Sequence, residues 1–178
     1  MSDIQNTTGF SLADLAGMET DEIRAITSLV PAAGNFGVEV LAVRLAERDK
    51  KEGINPKTGL EYPNLFFVEF KYKILSAEPL DRNVDGEALL NRTLNDQFTI
   101  WPDQMAEMIG LLKGRYKAAG LDNSGRLGGV EGGEPGWLDG AVGAIIGLRI
   151  KHSPIKGSDD VRANFNWFAL NPEEDAAA

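Results

Sequence analysis

The clearest pattern in the chain runs from Leu65 to Leu75. Phe66, Val68, Phe70, Tyr72 and Ile74 fall on one side, and Leu65, Phe67, Glu69, Lys71 and Lys73 on the other. A period of two marks a strand with one buried face. An earlier run, Phe36, Val38 and Val40 against Gly37, Glu39 and Leu41, continues through Val43 and Leu45 and predicts a first strand. Between the two lies a polar stretch, Glu47 to Pro63, whose Gly53, Asn55, Pro56 and Gly59 predict a long hairpin connection. A third strand is weakly marked around Phe98–Trp101, after a polar stretch that reads partly as loop.

The period then changes. Pro102 stands at a helix start, and Met105, Met108, Ile109, Leu112 and Tyr116 follow at helical spacing until Gly120 closes the pattern. Gly110 and Gly114 weaken that helix but offer a close approach to a sheet. Asp122 to Gly140 is glycine-rich and predicts a flexible loop, with Trp137 near its end. Ala144–His152 predicts a fourth strand, with Ile146, Leu148 and Ile150 inward and Arg149 and Lys151 outward. Val161–Leu170, with Phe165, Trp167 and Phe168, predicts a fifth. Short helices are expected ahead of all this, one after Ser11 and one from Thr20 to Pro31.

Three strands, a helix and two strands give a mainly β, α+β chain. That order is the one found in the OB-fold, a five-stranded, partly open Greek-key barrel. Another small sheet with a helix on one face is the competing architecture. The expected division is an N-terminal helical extension over 1–30, the barrel over 31–170 and an acidic tail over 171–178.

Composition narrows the function. With 178 residues and 43% apolar content the chain can fill one core. It has no cysteine and one histidine, so disulfides, thiolate chemistry and multi-histidine metal sites are excluded. No basic, apolar leader is visible and no stretch of about 18 apolar residues occurs, which predicts a cytoplasmic chain without a membrane partner. Classical catalytic sets are missing. The glycines at 128–136 lack the lysine and hydroxyl residue that end a phosphate-binding loop, and His152 has no partner for a triad. Asp159 and Asp160 read as turn residues. The expectation is a protein without catalysis, metal or cofactor.

Net charge is −9, but it is unevenly spread. Residues 36–75 carry seven basic and six acidic groups, and residues 141–170 four and two. Single-stranded nucleic acid needs cations along its backbone and flat rings for its bases. Arg48, Lys50, Lys51, Lys57 and Tyr62 lie in or beside the first hairpin connection, and Phe67, Lys71 and Lys73 share the outward side of the second strand. Arg149 and Lys151 lie on the fourth strand, Lys156 in the next loop and Arg162 on the fifth strand, while Trp101 and Trp137 are further rings available for stacking. In an OB-fold the strand 2–3 face and the loops joining strands 1–2 and 4–5 bind the ligand. Taken singly, each ring reads as core, since aromatics are usually buried. The set carries the argument.

A resemblance adds to it. LVPAAGNFGVEV at 29–40 and KTGLEYPNLFF at 57–67 resemble the small OB-fold single-stranded DNA-binding proteins of tailed bacteriophages. AAGLD at 118–122 and NFNWF at 164–168 are similar to the same group, so the likeness covers roughly 29–170. It implies a protein that coats exposed strands during replication and recombination, in the host cytoplasm if phage-encoded. It also implies an acidic tail that contacts replication or recombination proteins, here Glu173, Glu174 and Asp175, although this tail ends in three alanines rather than an aromatic residue. A homo-oligomer is left open. The rival expectations are a virion or adaptor protein whose barrel binds another protein, and an enzyme with an unfamiliar carboxylate site.

Overall fold

A computed structural model describes residues 30–48, 51–128 and 135–170. The expected N-terminal helices, Lys50, and the tail with Glu173, Glu174 and Asp175 lie outside the described residues. The strands are β1 (Gly34–Arg48), β2 (Leu65–Pro79), β3 (Thr93–Ile100), β4 (Ile145–Pro154) and β5 (Val161–Phe168), with helix α1 (Met105–Ala118) between β3 and β4. They form one antiparallel sheet in the order β3-β2-β1-β4-β5. Strand pairing does not close that sheet on itself among the described residues, and β3 and β5 are its edges. α1 packs against both edges, so the helix covers strands that would otherwise present unpaired backbone. No described helix is long and apolar enough to cross a membrane.

The core follows the alternation. Val68, Phe70, Tyr72 and Ile74 of β2 are buried, with Phe36, Val38 and Val40 of β1 and Ile146, Leu148 and Ile150 of β4. On β1 the inward set switches from even to odd positions, because the pairing slips between Val40 and Ala42 and leaves Leu41 as an extra residue. Val43 and Leu45 thereby return to the core side. A matching slip on β2 leaves Leu75 unpaired and returns Ala77 to the core.

β3 begins five residues earlier than its apolar pattern indicates. Its inward positions are Leu94, Asp96, Phe98 and Ile100, so a buried carboxylate interrupts the signal. Asp96 is 6% exposed and accepts a 2.7 Å bond from Arg115 Nη1 on α1. The Tyr72 hydroxyl lies 3.5 Å from the same carboxylate and accepts a 3.0 Å bond from Trp167 Nε1 of β5. Side chains from β2, β3, β5 and α1 thus join across the gap that strand pairing leaves. Burial raises the Asp96 carboxyl above the ordinary carboxylate value, against the lowering pull of Arg115.

α1 buries Leu112 and Tyr116. Gly110 and Gly114 do not serve close packing: a Cβ on either would meet nothing within 4 Å, because both lie on the helix's exposed side. Gly120, with φ +75°, ends the helix as expected. The following Leu121 N–H bonds back to the Tyr116 carbonyl at 2.8 Å, the wrap typical of a left-handed cap. The glycine-rich loop is pinned where its two described sides meet. Trp137 and Leu138 donate backbone N–H groups to the carbonyls of Arg126 and Leu127.

Candidate nucleic-acid interface

Because β2 pairs on both sides, its outward residues sit in a cross-strand lattice. Phe67 stands between Ala46 and Thr99, Glu69 between Arg44 and Gln97, Lys71 between Ala42 and Asn95, and Lys73 between Glu39 and Thr93. β3 therefore presents Thr93, Asn95, Gln97 and Thr99 outward, all uncharged and all able to hydrogen-bond. Arg44 and Glu69 approach to 4.0 Å, an exposed pair. Among these positions Arg44, Lys71 and Lys73 stand with two carboxylates, Glu39 and Glu69, and a row of neutral polar groups, in a chain whose total charge is strongly negative.

The rings on this side are held under cations. Arg48 Cζ lies 5.5 Å from the centroid of Phe67, and Lys51 Nζ lies 5.1 Å from that of Tyr62. Both rings are half-buried, which leaves each a partly accessible face. The connection between β1 and β2 is a built hairpin. Asn55 donates its N–H to the Leu60 carbonyl at 2.8 Å, its side chain accepts the Lys57 N–H at 2.9 Å, and Ile54 bridges to Glu61. That turn carries Lys57 at the tip, beside Ile54 and Leu60, which are 65% and 69% exposed. At the root, the Asn64 side chain bonds to Glu47. Trp101, the residue after β3, is 46% exposed and follows Thr99 on the outward side.

The remaining predicted residues lie elsewhere on the sheet. Arg149 and Lys151 are outward and exposed on β4, opposite Asn166 and Asn164 of β5. Arg162 is paired to Ser153, and Lys156 sits in the loop between β4 and β5. Arg149 pairs across to Asn35 at the start of β1, whereas Phe67 pairs to Ala46 near its end. Eleven residues of β1, about 35 Å measured along the strand, separate Arg149 from Phe67, whereas Lys73, paired to Glu39, stands only four residues along β1 from Asn35. The two cation-capped rings, not all the cations, are what stand far apart on the sheet.

Trp137 is a correction. It is 7% exposed, with its ring edge-on to Tyr116 at 4.7 Å, so no face is free for a base. It closes the core beneath the glycine-rich loop instead. Two residues were missed. Phe168 is outward, because it adjoins Trp167, which is in the core, and Arg149 lies over it at 5.7 Å. Asn35 holds that arginine with a 3.0 Å bond from Nε. The signal for Phe168 was present: with Phe165 and Trp167 inward, period two turns Phe168 out. His152 lies 2.8 Å from the Pro31 carbonyl through Nε2, a contact that ties the end of β4 to the entry of β1. No protein-family model matches this chain, and no curated protein matches it.

Proposed function

We propose that this chain is a non-catalytic OB-fold protein that binds single-stranded DNA with little sequence preference, protecting exposed strands in phage replication and recombination. The strand order supports the barrel: antiparallel pairs β1–β2, β2–β3, β1–β4 and β4–β5, with a helix spanning the β3–β5 gap, match a partly open five-stranded Greek key. The observation that carries the binding reading is the outward face of β1, β2 and β3. Arg48, Lys71 and Lys73 stand there with Phe67, beside a row of neutral polar groups and next to Lys51 and Tyr62. Cations track a phosphate backbone, and rings accept any base, since every base has a π-face.

A protein-docking role has one observation in its favour, the exposed Ile54 and Leu60 at the hairpin tip. Competition separates the readings. A labelled oligo-dT of about 15 nucleotides, near the upper site size of one such barrel, should bind at low salt and resist displacement by duplex of equal length. Equal displacement by duplex would make the face a general polyanion site, and no binding would favour a protein partner.

A further inference from the structure

We propose that Phe168, Arg149 and Asn35 form a second nucleotide subsite, taking one base and its phosphate from the same single strand. This rests on the single-strand reading above. Phe168 is outward at the end of β5, and its ring lies across Gly147 of β4: a Cβ at 147 would stand 2.3 Å from the ring. The glycine makes a bed for a flat side chain. Arg149 caps the ring at 5.7 Å, and Asn35, its partner across β1, holds the guanidinium through Nε at 3.0 Å.

The surroundings suit an anionic strand. The outward ladder of β4 and β5 is Arg149, Lys151 and Ser153 against Asn166, Asn164 and Arg162, with Phe168 at its end. Three cations occupy those positions, and the carboxylate next to the subsite is Glu78 of β2, paired to Asn35 on the side away from Arg149. The arrangement repeats that of Arg48 over Phe67, a cation seated on a half-buried ring at a strand end. A base that takes the ring displaces the guanidinium to its edge, where Asn35 keeps it in reach of the adjoining phosphate. Phe168 lies through Gly147 beside Gly37, and Phe67 beside Ala46, nine residues further along β1, so only a long strand reaches both rings.

The test uses the full chain and oligo-dT. Phe168→Leu keeps an apolar cover on Gly147 but removes the flat face, and Phe168→Trp keeps the face. For a strand of about 15 nucleotides, Phe168→Leu should weaken binding by about five- to 150-fold, the effect of one lost stack, with an unchanged melting midpoint. Phe168→Trp should bind as the parent does. For a strand of about 4 nucleotides, the lower site size of such barrels, the loss should be smaller. If Phe168→Leu fails to fold, Arg149→Gln replaces it and should make the salt slope shallower by about 0.7.

An unchanged affinity or slope in these variants, while Phe67→Ala weakens binding, would overturn the subsite and leave Phe168 as a cover for Gly147. If the parent protein itself binds no oligo-dT, the subsite and the single-strand reading fall together.

Discussion

Phe66 and Phe67 are chemically identical neighbours with opposite surroundings. Phe66 packs against the core, while Phe67 faces out beneath Arg48. Strand geometry alone makes that division, and the sequence shows it because β2 alternates without interruption. Phe67→Ala should therefore leave the urea midpoint nearly unchanged and weaken oligo-dT binding by about 1–3 kcal/mol, one lost stack. Unfolding of the variant would instead place that ring among the core residues. Trp137 was not legible in this way. It sits in an irregular loop with no period to assign it a side, and only its packing on Tyr116 shows that it is buried.

β1 was readable in kind but not in register. Its apolar positions change parity after Val40, which the pairing slip at Leu41 explains, and an extra residue is the physical cause of such a switch. β3 was only half visible because Asp96 occupies a core-facing position, and its partner Arg115 is distant in sequence, on α1. A polar residue with a partner that far along the chain looks like loop until the two are brought together. Their pairing makes a prediction about the helix and the sheet edge it covers. Arg115→Met leaves the carboxylate buried without its cation and should cost about 3–5 kcal/mol at neutral pH. Burial raises Asp96 above the ordinary carboxylate value, so this group's stabilising contribution is complete below its unfolded value and is lost as pH rises through its folded value. The cost of Arg115→Met should therefore shrink on acidification. Urea unfolding of both proteins at neutral and mildly acid pH checks this; a cost independent of pH would mean that only packing was lost.

Across the whole molecule, charge is sorted by surface. The described acids stand mainly in connections and on the helix, at Asp81, Asp85, Glu87, Glu107, Asp122, Asp159 and Asp160, while the outward side of β2 and β3 has Glu69 and Glu78 as its carboxylates among the described residues. Net charge read from sequence conceals this, because it has no knowledge of which side a residue faces; alternation recovers it for β2 and β4 and fails for loops. The acidic residues Glu173, Glu174 and Asp175 carry a prediction of their own. A chain lacking residues 171–178 should bind oligo-dT more tightly at low salt and equally at high salt, since screening removes competition between like-charged ligands for one groove. Equal affinity at both salts would show that the tail does not compete.

The central claim is that cations on the outward sheet face neutralise a single strand's phosphates, and its most direct measurement is oligo-dT affinity as a function of salt. With Arg48, Lys51, Lys71 and Lys73 each holding one phosphate, the logarithm of affinity should fall against the logarithm of salt with a slope of about −3, at about 0.7 per contact. A flat response, or no binding at the lowest salt, would contradict the account.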